Sequence, residues 1–214
     1  MVNGAVADKP ARLVAVGDAL ELRGDPPRFV SRGGDKLDAA LDAFAIDVTD
    51  LRCLDAGAST GGFTDCLLQR GARQVVAVDV GYGQLHERLR ADARVDVRER
   101  VNVRSIDAVA IGGAVDLVVA DLSFISLRTV APALLACTRS GAPLVLLVKP
   151  QFEAGRIEAA KGRGVIRDPA VRARTLEEVG SALEALGAAI MGSVESPITG
   201  ADGNVELLLH AVAP

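Results

Sequence analysis

The chain has 214 residues, half of them hydrophobic, which is enough for one sizeable core but short of two full domains of ~100–200 residues each. Its formal net charge of −4 excludes a global positive field, so any contact with RNA must be local. The longest apolar runs fall far short of the ~20 residues of a membrane-spanning helix, and the N-terminus lacks the pattern of a secretory signal, so we expect a cytoplasmic protein that does not act at membranes.

The first elements along the chain are weakly patterned. Residues 1–28 are rich in Gly, Pro and Asp and contain two short apolar runs, ARLVAV and ALEL, which could pair as a small hairpin but cannot bury a core alone. From Lys36 onward, apolar residues recur at helical spacing up to position 44 and predict a helix leading into the main domain.

The rest of the chain alternates between two patterns. Apolar runs predict buried strands at 52–57, 74–80, 115–121 and 142–149, with a further strand in the region 94–104 and two more near 188–195 and 204–212. Helical patterns fall at 61–70, 128–138 and 169–187, whereas 151–168 has no clear period and is predicted as a long functional loop. This alternation predicts an α/β, Rossmann-like fold with a mostly parallel, seven-stranded sheet and helices on both faces.

A glycine-rich turn, DAGASTGGFTD at 55–65, joins the first strand to a helix. Backbone N–H groups and the positive end of a helix make such a turn a site for an anionic group, although a purely structural turn is an equally open interpretation. The spacing is DxGxxxGG and not the GxGxxG of pyrophosphate binding, which weakens a dinucleotide interpretation. The predicted cofactor contacts in this turn are Asp55, Gly57, Ser59, Thr60, Gly61, Gly62 and Phe63.

Three further residues extend this predicted cofactor site: Asp79, Asn102 and Asp121, the last of which is also a candidate reacting residue. Asp79 ends the second strand about 20 residues on, where a carboxylate can accept both hydrogen bonds of a ribose diol. Asn102, in the third strand region, is either an adenine contact or a surface-loop residue. A nucleoside ligand without phosphates fits S-adenosylmethionine (SAM) better than NAD, with an NAD-dependent oxidoreductase left as an alternative.

Four polar residues mark the expected reaction site. Asp121 and Lys149 each follow directly after an apolar run, and ligands of open α/β sheets bind at the carboxyl ends of strands. Glu206 lies near the start of the last strand, which an antiparallel orientation would bring to the same edge, and Lys36 follows the RGG turn at 32–34. Singly, an Asp after a strand is often only a helix cap and a Lys is usually solvated.

Together, two lysines and two acids would suit methyl transfer to an alcohol, because a hydroxyl nucleophile must lose its proton as the new bond forms. Lys149 is the candidate general base, Lys36 the cation that assists it, and Asp121 and Glu206 the groups that orient the two amines. Only four of the 24 basic residues are lysines, which agrees with lysine being kept where a deprotonatable amine is needed, although chance is the simpler explanation.

The cysteines and histidines do not predict a metal site. Cys53, Cys66 and Cys137 form no CxxC pair and have neither histidine close in sequence, so we predict that all three are core residues. His86, in a predicted helix, and His210, in the last strand, are predicted to be structural.

These segments together resemble the TlyA family, historically labelled hemolysin A and related to FtsJ-like ribosomal RNA 2′-O-methyltransferases. The resemblance runs through FVSRGGDKLDAAL, DAGASTGGFTDCLLQRGA, DVGYGQLHERLR, ERVNVR, DLSFIS, LLVKPQFEAGR and GNVELLL. The family's Lys-Asp-Lys-Glu tetrad falls on Lys36, Asp121, Lys149 and Glu206. The resemblance implies SAM as cofactor, ribosomal RNA or ribosomal subunits as partner, and methylation of a cytidine 2′-hydroxyl.

The resemblance is incomplete at the front of the chain. Family members carry a small RNA-binding domain there, and residues 2–28 resemble only its final hairpin, so we divide the chain into a remnant and linker at 1–28 and a methyltransferase domain at 29–214. We therefore expect weakened RNA binding. The alternatives are a membrane-acting cytolysin, as the old family label suggests, and a SAM-binding protein without activity.

Overall fold

The computed structural model describes residues 1–7, 12–21, 27–200 and 202–214. A seven-stranded sheet forms its centre, with strands β1 (Arg52–Ala56), β2 (Gln74–Asp79), β3 (Val95–Glu99), β4 (Leu117–Ala120), β5 (Pro143–Val148), β6 (Ala189–Glu195) and β7 (Leu207–Val212). Their order across the sheet is 3-2-1-4-5-7-6. Strands β1 to β5 pair in parallel, and β7 is antiparallel to both of its neighbours. The predicted mostly parallel, seven-stranded α/β sheet is confirmed.

Helices cover both faces of the sheet. They are α1 (Gly33–Ala43), α2 (Gly62–Gln69), α3 (Glu87–Arg90), α4 (Leu127–Cys137), α5 (Pro150–Glu153), α6 (Arg156–Lys161) and α7 (Pro169–Glu184), with a 3-10 turn at Val103–Ser105. Successive strand residues point to opposite faces, so Cys53 joins a core with α1 and α2, whereas Leu54 joins a second core with α4 and α7. Burial on both faces explains the nearly continuous apolar runs of β1, β2, β4 and β5.

Two local predictions are wrong. The segment predicted as a loop at 151–168 contains the short helix α6 and most of α5, which span six and four residues respectively and are too short to show a helical period. In the described N-terminal residues, 12–16 form no strand, and Val2 instead makes single bridges to Ala5 and Leu20. The apolar run at 12–16 leaves Leu13 exposed, so it gains little from pairing.

The cysteines confirm their predicted place in the core. Cys53, Cys66 and Cys137 are buried and unpaired, and burial raises the pKa of the Cys53 and Cys66 thiols to about 12. Among the described residues, no group of three His, Cys, Asp or Glu side chains could hold a metal ion. None of the helices in those ranges combines the length and the apolarity that crossing a bilayer requires.

Candidate active site

The candidate site lies where strand order reverses, at the carboxyl ends of β1 and β4. These strands are neighbours in the sheet, but the chain leaves β1 towards α2 on one face and β4 towards α4 on the other. Such a switch point opens a crevice above the sheet. Two adjoining cavities of about 340 and 380 Å³ lie here and share four wall residues, Gly57, Ser59, Asp121 and Ser123.

At least two glycines of the glycine-rich turn are required because neighbouring atoms pack closely against them. Gly57 has φ +90°, and a Cβ there would lie 2.4 Å from the carbonyl oxygen of Asp121, so only glycine lets the β1 turn rest against the end of β4. A Cβ on Gly62 would lie 2.9 Å from the backbone nitrogen of Gly34, at the contact between α1 and α2. Both glycines also line the first cavity.

Asp55, at the end of β1, is fully buried beneath the turn. Its Oδ2 accepts a 2.6 Å hydrogen bond from Thr64 Oγ1, and its Oδ1 has no hydrogen-bond partner among the described residues. Burial, together with the negative charges of Asp121 and Asp79, raises the pKa of Asp55 to about 7, against the effect of the Thr64 bond. Asp55 therefore changes protonation near neutral pH.

The second cavity has a polar end and an apolar wall. Asp79 accepts hydrogen bonds from the backbone N–H groups of Ser59 at 2.8 Å and Gly81 at 2.6 Å, which fix the carboxylate at the cavity edge. Asn102 caps the 3-10 turn by accepting from the N–H of Arg104 at 3.0 Å, and it also lines the cavity. The apolar wall is formed by Val103, Leu122, Phe124, Ile125 and Val130.

The first cavity holds two ion pairs between lysines and acids. Lys36 of α1 pairs with Glu206, and both side chains are buried although they lie 170 positions apart in the chain. Lys149 Nζ lies 2.6 Å from Asp121 Oδ1 and donates to Ser123 Oγ at 3.1 Å. The predicted antiparallel last strand is confirmed, and it brings Glu206, just before β7, to the same edge as the ends of β4 and β5.

The structure thus gathers the four predicted reacting residues in one cavity wall. Of the predicted cofactor contacts, Asp55 and Gly61 line neither cavity: Asp55 lies below the turn, and Gly61 faces Leu85 and Leu89 of the adjacent core. The others line one or both cavities: Gly57, Ser59, Thr60, Gly62, Phe63, Asp79, Asn102 and Asp121.

Several wall residues were missed by the sequence interpretation. Ser31 and Arg32 precede α1, Ser123 follows Asp121 by two residues, and Gly200 lies before β7. Ser123 could have been found, since it shares the strand-end position that singled out Asp121. Gly200 carries no such signal, because its place depends on how the chain returns to β7.

Three features define the fold class of this chain: the order of the strands, the glycine turn at the switch point and the acidic end of β2. The class is a Rossmann-like, SAM-dependent methyltransferase fold. A solved structure of the N-methyltransferase NodS from Bradyrhizobium japonicum WM9, in complex with S-adenosyl-L-homocysteine, shares this fold at a TM-score of 0.60. It is 16% identical and covers 86% of this chain and 88% of its own.

Closer relatives define the family. The FtsJ-like methyltransferase family matches residues 29–212. The chain is 54% identical to the 16S/23S rRNA (cytidine-2′-O)-methyltransferase TlyA of Mycobacterium tuberculosis, over 97% of this chain and 78% of the relative. The chain belongs to the FtsJ-like methyltransferase family, in the group of TlyA and hemolysin A relatives.

Two further relatives carry the other label of this group. Hemolysin A of Brachyspira hyodysenteriae is 40% identical, over 99% of this chain and 88% of its own. The crystal structure of a candidate hemolysin from Lactococcus lactis has a TM-score of 0.84 and 44% identity, over 87% of this chain and 89% of that one.

Proposed function

We propose that this chain methylates a ribose 2′-hydroxyl of ribosomal RNA, at a cytidine, with SAM as the methyl donor. The observation that carries the proposal is the pair of lysine–acid contacts in a cavity that adjoins a second one with the Asp79 carboxylate at its edge and an apolar wall. The relative named as an rRNA (cytidine-2′-O)-methyltransferase supports the choice of RNA, ribose oxygen and base.

The second cavity has the chemistry that a SAM nucleoside requires. Asp79 presents a carboxylate for the ribose diol, and Asn102 presents an amide beside an apolar wall that suits a flat base. Gly57 lines both cavities and has no Cβ, so a ligand can approach its backbone closely. When bound, SAM supplies a methyl group on a sulfonium sulfur, which leaves as a neutral thioether.

The residues of the first cavity handle the hydroxyl and its proton. Lys149, as the neutral amine, accepts the proton of the 2′-hydroxyl at Nζ while the oxygen forms its bond to the methyl carbon. Asp121 and Ser123 hold Nζ in place through their contacts with it. Lys36, held by Glu206, adds a positive charge to the same wall and binds the substrate ribose.

The test replaces the candidate base without removing its charge. Lys149→Arg should lower the single-turnover rate on intact ribosomal subunits by ~10²–10⁴-fold, because a guanidinium does not accept a proton at working pH. SAM affinity should be retained. Lys36→Arg should be milder, since arginine keeps the charge that Lys36 contributes.

Lys161→Arg is the matched control, because Lys161 lies on α6, pairs with Glu158 and lines neither cavity. Tritium transfer from labelled SAM, followed by mapping of the modified position, gives the rate and the site. A near-normal rate in Lys149→Arg would exclude Lys149 as the proton acceptor. Transfer to a base atom instead of a 2′-oxygen would overturn the proposed reaction.

A further inference from the structure

A buried carboxylate outside the four reacting residues connects the segment that follows Lys149 with the segment that follows Asp121. Glu153 ends α5, four residues after Lys149, and is 3% exposed. A buried charge is stable only when it is paired and hydrogen-bonded. The partners of Glu153 all lie at the start of another helix, α4.

The partners of Glu153 form the start of α4. Its Oε1 accepts the backbone N–H of Leu127 at 2.7 Å, and its Oε2 accepts the hydroxyl of Ser126 at 2.5 Å. Arg128 Nε lies 3.5 Å from Oε2, and Arg128 Nη2 donates to the Glu153 carbonyl oxygen at 2.9 Å. A carboxylate at the N-terminus of an 11-residue helix is also favoured by the helix dipole.

The consequence is a second cross-link between the same two segments. The β4 loop, residues 121–126, contacts Lys149 through Asp121 and Ser123 at one end. At its other end it is held by Glu153. Between these two points the β4 loop carries Leu122, Phe124 and Ile125, which wall the second cavity.

We propose that Glu153 is a positioning residue that sets the place of the β4 loop, and with it the contact between Asp121 and Lys149. It touches no reacting atom itself. The inference rests on the proposed methyl transfer for its effect on rate, but its effect on the surroundings of Lys149 is independent of any substrate. A misplacement of ~1 Å at a reacting group can cost ~100-fold in rate.

The experiment compares Glu153→Ala and Glu153→Gln with Glu178→Gln. Glutamine keeps an acceptor for the Leu127 N–H but loses the charge, so it should retain part of the function that alanine removes. Glu178 is the matched control, because it lies on α7, pairs with the same Arg128 at 3.0 Å and does not touch the β4 loop.

The first readout is the ε-methylene NMR signal of Lys149, which is easily resolved because the chain has only four lysines; Lys149→Arg assigns it. We expect this signal to shift in both Glu153 variants and to stay in place in Glu178→Gln. The second readout is the single-turnover rate, which should fall about 10- to 100-fold in Glu153→Ala and less in Glu153→Gln, with the KM for ribosomal subunits within about three-fold.

Lowered thermal stability alone, with the Lys149 signal and the single-turnover rate of the folded protein unchanged, would overturn the inference. Glu153→Gln decides the matter if Glu153→Ala does not fold. If the wild-type chain methylates no RNA, the proposed function fails, and the NMR signal still tests the positioning role.

Discussion

Asp79 is the residue on which the predicted cofactor site most depends. Asp79→Ala should weaken SAM binding by about 1–3 kcal/mol, because it removes the acceptors of the ribose diol and frees the backbone N–H groups of Ser59 and Gly81. Calorimetric titration measures the change. Asp96→Ala is the control, since Asp96 pairs with Arg98 on β3 and lines neither cavity. Equal SAM affinities in the two variants would show that Asp79 does not bind the cofactor.

Asp55 makes a prediction about stability and pH. Its pKa is raised from 3.8 to about 7, so between these values the folded protein binds more protons than the unfolded chain. The contribution of Asp55 to the free energy of unfolding therefore decreases as pH rises through this window and is constant above it. Asp55→Asn removes this dependence.

Urea denaturation of wild type and Asp55→Asn across pH 4 to 8 measures that difference. Relative to the wild type, the free energy of unfolding of Asp55→Asn should increase by a few kcal/mol as pH rises from about 4 to about 7, which is on the order of what a pKa shift of this size implies. The exposed Asp47, whose pKa is lowered by hydrogen bonds from Thr49, gives the control Asp47→Asn. A stability difference that does not vary with pH would show that Asp55 ionises normally.

Two of the four candidate reacting residues could be placed together for a simple reason. Polar residues that end neighbouring parallel strands must share one edge, so Asp121 and Lys149 could be placed together from their positions alone. Glu153 could not, because the groups that donate hydrogen bonds to its carboxylate are a backbone N–H and a hydroxyl 26 and 27 positions away, which no pattern of residue types reveals.

At the scale of elements, the contact between α1 and α2 depends on Gly62. A Cβ at this position would meet Ser31 Oγ at 2.3 Å and the backbone nitrogen of Gly34 at 2.9 Å. Gly62→Ala should therefore destabilise the fold by about 1–3 kcal/mol through overpacking. The backbone atom cannot move away as a flexible side chain would.

Gly180→Ala is the matched control within α7, because its Cβ would meet only Ile190 at 3.7 and 4.0 Å, an ordinary contact. Alanine has the higher helix propensity, so this variant should be neutral or stabilised by up to about 1 kcal/mol. Urea unfolding of both variants gives the comparison. Equal free energies of unfolding in Gly62→Ala and Gly180→Ala would mean that α1 and α2 have room to separate.

Long helices followed their sequence patterns and short ones did not. The central strands β1, β2, β4 and β5 leave apolar runs in the sequence, and the helices α1, α2, α4 and α7 leave a helical period, because each buries a face. Helices α5 and α6 are one or two turns long and take their places from neighbours, so periodicity missed them. The division of the chain after residue 28 stays a prediction.

At the scale of the whole molecule, ligand binding should raise stability. SAM at about 100 times its Kd should add ~2.7 kcal/mol to the free energy of unfolding and raise the Tm, whereas NADH at the same concentration should not. Thermal unfolding followed by circular dichroism measures both. The SAM effect should shrink in Asp79→Ala, and a larger effect of NADH would reverse the assignment of the cofactor.

The placement of β7 has a consequence for when the protein can work. Lys36 is made well before its partner Glu206, which lies 170 positions later, directly before β7. The wall of the second cavity, around Asp79, comes from residues between Gly57 and Val130, which are all made much sooner. A nascent chain could therefore fold its cofactor half while still lacking one of its four polar groups, and the catalytic wall is completed only as the final strand inserts between β5 and β6.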